Sequence, residues 1–155
     1  MSIAPIIAEV AVRQPPARAF ELFTSRIGEW WPGKTIGARP HVAIVLEPRA
    51  EGRWYERDAE GDETQWGKVL AWEPPHRVLL GWQLDTSFTH NPDFLTEVEI
   101  SFTALADGGT RVRLEHRDLE RFGAEAERIA GMIRPGWQEK LDGFAHFVRE
   151  EEKVS

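Results

Sequence analysis

GRWYERDAEGDETQWGKVLAWEPPHRVLLGW, residues 52–82, carries four of the chain's seven tryptophans on short strand-like runs punctuated by Glu60-Gly61 and Pro74-Pro75. Turn-forming pairs between such runs describe a β-meander, here one with large rings on it. A single antiparallel sheet has to bury its apolar face against another element. The stretch long enough to cover it is 136–151, where Trp137, Leu141, Phe144 and Val148 recur at spacings of 4, 3 and 4 on one helical stripe. The expected product is an α+β fold in which a sheet grips a C-terminal helix, with a pocket between the two.

On the N-terminal side, residues 6–12 alternate as a first strand, and Gln14-Pro15-Pro16 ends it and opens a helix, since proline is tolerated in a first helical turn. Ala19, Phe20 and Phe23 give this helix an apolar stripe. A second short helical piece ends at Trp30-Trp31-Pro32, because proline disfavours helix in the residue before it. A loop over 34–40 leads to strands expected at 42–46, 53–57, 64–72 and 78–84, and the polar, proline-broken residues 85–94 read as a rim loop.

In residues 96–104, Val98, Ile100 and Phe102 share one face while Glu97, Glu99, Ser101 and Thr103 share the other. Beyond the Asp107-Gly108-Gly109 turn, Val112 and Leu114 continue the dry face and Arg111, Arg113 and Glu115 the wet one, so cross-strand Glu–Arg pairs are expected. His116 falls in phase with Val112 and Leu114 and points to the covered side. Residues 117–134 read as a linker with a short helix over 125–132, after which Pro135 starts the final helix and places Trp137 in its first turn. Glu150-Glu151-Glu152 would sit at the negative end of that helix's dipole, so its last turn is expected to fray.

Composition narrows the function classes. A length of 155 residues suits one domain over 1–155, since single cores commonly hold about 100–200 residues. A net charge of −7, with arginines scattered among acids, argues against nucleic-acid binding, which needs a concentrated basic surface. No apolar run approaches the roughly 18 residues of a membrane span, and MSIAPIIAEVAV lacks the basic start of a secretory signal. The absence of cysteine excludes disulfides, thiolate nucleophiles and Cys-ligated metals, and suits a cytoplasmic location. His41, His76, His90, His116 and His146 have no metal-ligand spacing among themselves, and neither GxGxxG, a Walker sequence nor a GxSxG elbow appears. No metal and no cofactor are expected.

The order strand, two helices, six strands, long helix resembles the START-like, or SRPBCC, superfamily and its helix-grip fold. Within it the chain is similar to the family named after the activator of the ninety-kilodalton heat-shock protein's ATPase. The resemblance is carried by residues 17–23 with Trp30-Trp31-Pro32, by Leu46-Glu47-Pro48-Arg49 with Gly52-Arg53-Trp54-Tyr55-Glu56, by Trp66-Gly67-Lys68-Val69 leading to Glu73-Pro74-Pro75, and by Trp82, Gly109-Thr110-Arg111-Val112 and Gly136-Trp137. It implies about seven antiparallel strands wrapped around the C-terminal helix, with two short helices between the first two strands. The superfamily spans lipid carriers, hormone receptors, cyclases and oxygenase domains, so the fold leaves the activity open. Two departures stand out. The chain is too short for the separate N-terminal domain that does most of the eukaryotic co-chaperone's partner binding, and Ala50-Glu51 precedes Gly52 where many bacterial relatives have a second glycine.

The site candidates follow from the expected covered face. Trp54, Trp66, Trp82, Ile100, Phe102, Leu114, His116, Trp137, Leu141 and Phe144 are expected to line a ligand cavity, such cavities being mostly apolar with a few placed polar groups. The competing account is that the tryptophans simply fill the core. Glu56, in strand parity with Trp54, and His116 are the polar positions facing that space, and a carboxylate among rings beside an imidazole is a candidate acid–base pair. Trp30-Trp31-Pro32 reads as a lip of the cavity or a partner-binding patch, one of its two rings being exposed. The leading expectation is binding of a small hydrophobic or aromatic molecule without assigned chemistry. The alternatives are a chaperone-interaction module, as the family name implies, and a cyclase- or hydratase-like enzyme using Glu56 and His116.

Overall fold

The computed structural model describes residues 3–31 and 36–154; the Pro32 stop and the start of the expected 34–40 loop lie outside them. Seven strands form one antiparallel sheet: β1 (Ile6–Val12), β2 (His41–Leu46), β3 (Arg53–Asp58), β4 (Glu63–Glu73), β5 (Arg77–Trp82), β6 (Thr96–Ala104) and β7 (Thr110–Arg117). Their order is β1-β7-β6-β5-β4-β3-β2, a meander that the first strand joins at its far edge. Because β1 and β2 occupy opposite edges, the chain between them has to cross the face of the sheet. Helices α1 (Pro16–Ser25) and α2 (Ile27–Trp30) lie in that crossing, and Ala19, Phe20, Leu22, Phe23, Ile27 and Trp30 are buried by it.

The expected wet and dry faces of β6 and β7 are present. Val98, Ile100, Phe102, Val112, Leu114 and His116 are all buried. On the other face Arg117 lies opposite Glu97, at 2.9 Å, while Glu99 faces Glu115. Like charges opposite one another destabilise a sheet; here Arg117 and Arg77 both reach Glu99 and neutralise the clash.

The last helix departs from expectation. A 3₁₀ turn, Leu119–Glu125, runs into α3, Ala126–Val154, which continues for 29 residues through Pro135. Proline inside a helix costs about 3 kcal/mol because its nitrogen cannot donate to the carbonyl four residues back. That carbonyl belongs to Gly131, which is exposed, so water can satisfy it. The turns before the proline bury Ala126, Ile129 and Ala130, and a buried Ile alone contributes about 1.5–3 kcal/mol. Packing on both sides of Pro135 therefore outweighs the lost bond, and Trp137 sits in mid-helix rather than in a first turn. The expected stripe Trp137, Leu141, Phe144 and Val148 is buried against the sheet. The C-terminal turn is also continuous, because Glu151 is gripped in a fork by Arg26 at 2.7 and 3.0 Å, and Arg26 in turn lies over Phe147. No helix among the described residues is long and apolar enough to cross a membrane.

At the β2–β3 turn, Glu51 takes the left-handed conformation, with φ of 68°. Gly52 answers a different need: a Cβ there would come within 2.8 Å of the Glu47 carbonyl oxygen. The position before Gly52 thus pays for its side chain in backbone strain, a cost of roughly 1–2 kcal/mol for an L-residue. Glu51→Gly is expected to raise stability by up to about 1 kcal/mol after the added freedom of the unfolded chain is subtracted. Urea midpoints of the two proteins check this, and an unchanged or lower midpoint for the variant contradicts it.

Candidate functional site

A glycine organises the site. Trp54 on β3, Gly67 on β4 and Trp82 on β5 lie opposite one another in register and hence on one face. With no side chain on the middle strand, the two indoles meet across it, their centroids 6.3 Å apart. The pairing shifts by one residue beside Gly67, so Trp66 is the extra residue of a β-bulge and its ring joins Trp54 at 5.6 Å. Trp31, just after α2, closes on Trp54, Trp66 and Trp137 at 6.0, 5.5 and 5.7 Å, and Trp137 meets Trp82 at 5.8 Å. The result is a continuous cluster of five indoles drawn from three strands, one helix and one connection.

Beside this cluster is a cavity of about 780 Å³. Its sheet side is formed by Trp54, Trp66, Trp82 and Leu84, its rim by Trp31, Ile36 and Phe88, and its helix side by Met132, Ile133, Pro135, Gly136, Trp137, Glu139 and Lys140. The unbroken run of α3 through Pro135 is what supplies Met132 and Ile133 as a wall. The volume falls in the range of roughly 300–1,000 Å³ typical of small-molecule pockets.

Glu56 and His116 both point to the covered side, yet neither is part of the cavity lining. Each instead holds a wall ring from behind. One oxygen of Glu56 accepts from Trp66 Nε1 at 2.9 Å and from the Ile36 amide at 2.7 Å, and the other accepts from the Gly37 amide at 3.1 Å. The carboxylate therefore ties the Ile36–Gly37 backbone and the Trp66 ring to β3. His116 Nδ1 accepts from Trp137 Nε1 at 3.1 Å, and its Nε2 lies 2.8 Å from Thr96 Oγ1. An indole only donates, so Nδ1 is unprotonated and the neutral ring carries its proton on Nε2, donating to Thr96. Burial pushes the imidazole pKa down to about 3. A protonated ring would face the indole N–H donor to donor, and the site opposes that form twice over.

Of the remaining expected ligand contacts, Trp54, Trp66, Trp82 and Trp137 line the cavity, whereas Ile100, Phe102, Leu114, Leu141 and Phe144 lie in the packed core behind it. Phe144 shows the difference: its ring is in contact with Phe23 and Trp30 at 5.1 Å each. Of the Trp30–Trp31 pair, Trp30 is buried against Phe23 and Trp31 is the half-buried lip. Lys140 is a wall residue that the parity of the apolar positions does not pick out. It falls three residues after Trp137, a spacing that puts both on one side of a helix, and that was its available signal. Among the described residues no three His, Asp or Glu side chains converge as metal ligands.

The model of the family described as Activator of Hsp90 ATPase homolog 1-like protein matches residues 13–149. The chain belongs to this family. Among solved structures, it is 36% identical to an anthrahydroquino-gamma-pyrone synthase, Txn09, complexed with SUM, with a TM-score of 0.66 over 94% of this chain and 97% of the other. It is 28% identical to CalC, a self-sacrificing resistance protein from Micromonospora echinospora, with a TM-score of 0.69 and 96% of each chain covered. Protein MLL2253 from Mesorhizobium loti shares the fold at 20% identity, with a TM-score of 0.69 over 94% of this chain and 97% of the other. No curated protein matches the chain. The fold that this member of the Activator of Hsp90 ATPase homolog 1-like family presents is the helix-grip fold, with a curled sheet around its long helix.

Proposed function

We propose that this protein binds a planar aromatic small molecule in the cavity between the tryptophan cluster and the N-terminal half of α3. The observation that carries the reading is the meeting of five indoles at one opening of about 780 Å³. Flat rings stack or meet edge to face with indoles, each contact contributing about 0.5–1.5 kcal/mol beyond the area it buries. Three of the rings are pinned through their N–H groups, Trp66 to Glu56, Trp82 to the Leu84 carbonyl and Trp137 to His116. A wall already fixed in this way loses little freedom on binding. Txn09, the synthase named above, gives the reading a relative whose product name is polycyclic and aromatic.

For catalysis by Glu56 and His116 the geometry offers less support, since both have their polar atoms committed to wall and loop donors. Their part in this reading is to position Trp66 and Trp137. The chaperone-module reading rests on the family's name. The large apolar side chains exposed among the described residues, Ile7, Val42 and Met132, lie on β1, β2 and α3, and the two strands are opposite edges of the sheet.

Titration with naphthalene- and anthraquinone-based compounds, followed by tryptophan fluorescence and native mass spectrometry, is expected to show saturable one-to-one binding. Trp31→Ala and Trp82→Ala remove half-buried rings and should weaken it by about tenfold each, as the loss of one or two ring contacts implies. Absence of saturable binding across the panel, or unchanged affinity in both variants, contradicts the reading.

A further inference from the structure

Among the described residues, Lys140 is the single cation on the cavity wall. Its Nζ lies 5.2 Å from the ring centre of Trp31 and 5.6 Å from that of Trp137, within the roughly 6 Å of a cation–π contact. One turn earlier is Gly136, where a Cβ would stand 3.4 Å from Nζ, so the ammonium lies across bare backbone. Indole faces attract the charge without accepting its three N–H bonds as an oxygen would. Among the described residues Lys140 forms neither an ion pair nor a hydrogen bond, and Glu139, the neighbouring carboxylate on the wall, is exposed. Burial lowers the Lys140 pKa from the ordinary lysine value, with Glu139 opposing the shift, as for a charge only partly solvated.

Trp54 leaves a further donor unsatisfied behind the wall. Trp54 Nε1 is buried and has no acceptor among the described residues, although the ring lines the cavity. The other three indole donors have partners: Trp66 bonds Glu56, Trp82 the Leu84 carbonyl, and Trp137 His116 Nδ1. Away from exposed Glu139, the charge that the wall itself presents is therefore a single positive one, at Lys140. A half-buried cation without an oxygen partner is costly, and a ligand that supplies an acceptor to it gains that difference.

We infer that the ligand is an aromatic ring system bearing an anionic oxygen, a carboxylate or a phenolate, which pairs with Lys140 while the tryptophans hold the ring. The inference rests on the aromatic-ligand reading above and specifies its chemistry. Three probes built on the naphthalene ring system test it at neutral pH: naphthoate, dinitronaphtholate and the uncharged naphthalenemethanol. Calorimetric titration of the unmodified protein is expected to favour at least one anion over the alcohol by about ten- to a hundredfold, the usual worth of a charge-assisted hydrogen bond. Which anion is favoured separates carboxylate from phenolate. In Lys140→Met the preference should fall to within about twofold while the alcohol still binds, and in Lys140→Arg it should persist, since either cation can pair with the oxygen. Equal affinity for anions and alcohol in the unmodified protein overturns the inference and leaves aromatic binding standing. A preference that survives in Lys140→Met overturns the role of Lys140. If none of the three binds, this inference fails, while the aromatic-ligand reading stands or falls on the wider naphthalene and anthraquinone panel.

Discussion

Gly67→Ala is expected to remove a large part of the protein's stability. The added Cβ would stand 1.8 Å from the Gly81 carbonyl oxygen and 3.0 Å from its carbon, both backbone atoms of the adjacent strand. A flexible side chain could turn aside, but β5 cannot move by the necessary distance without breaking its pairing to β4 on one side and β6 on the other. The same methyl would press on Trp54 Cε3, 3.4 Å away, and separate the indoles of Trp54 and Trp82. Backbone clashes of this kind belong with the severe substitutions, at about 4 kcal/mol or more, against a total of about 5–15 kcal/mol for a domain. Urea unfolding followed by circular dichroism reads the loss, and near-ultraviolet signals report the disturbed tryptophans. A midpoint close to that of the unsubstituted protein would show that β4 and β5 tolerate a side chain there, which the register forbids.

The second large effect is a loss of stability in mild acid caused by His116. In the folded state its pKa is depressed to about 3 by burial, against 6.5 in the unfolded chain. Between those values the unfolded chain binds a proton that the folded protein refuses. Stability is accordingly full above pH 6.5 and falls with pH at about 1.4 kcal/mol per unit toward the folded value. From pH 7 to 5 this single ring removes about 2 kcal/mol. Carboxylates act later: Glu63 and Glu99 are held below their ordinary value of 4.5, first by hydrogen bonds from Arg53 and Arg77 respectively, so what they contribute is lost only at lower pH. Unfolding free energies of the unsubstituted protein and of His116→Gln, measured at pH 7, 6 and 5, should show the steeper decline only where the imidazole is present. The variant is expected to start from a lower stability at pH 7, because Trp137 and Thr96 lose their shared partner. Parallel declines in the two proteins would show that His116 accepts a proton without unfolding, and the donor-to-donor conflict with Trp137 would then be absent.

The glycine and the histidine act on the same structure from opposite sides. Gly67 allows the sheet's indoles to meet, and His116 fixes the helix's indole against them. Changes at either should disturb the aromatic cluster along with stability, because the wall of the site is also an edge of the core.

Periodicity by itself determined the framework. The alternation of Val98, Ile100 and Phe102 against Glu97, Glu99 and Ser101, and the recurrence of Trp137, Leu141, Phe144 and Val148, each assign a face without knowledge of any partner, because strand and helix geometry fix where successive side chains point. The covered orientation of Glu56 and His116 followed from the same parity. Tertiary structure decided the rest. The bulge beside Gly67 sets Trp66 next to Trp54, and it depends on pairing between strands that no single segment records. Pro135 reads locally as a helix start, yet the burial of Ala126, Ile129 and Ala130 carries the helix through it and so builds a wall from Met132 and Ile133. Glu56 and His116 were legible as polar groups on the covered face, but their roles as supports for Trp66 and Trp137 arise only from contacts across elements. Side-chain direction is a local property of the backbone, whereas what a side chain meets there is set by the packing of the whole chain.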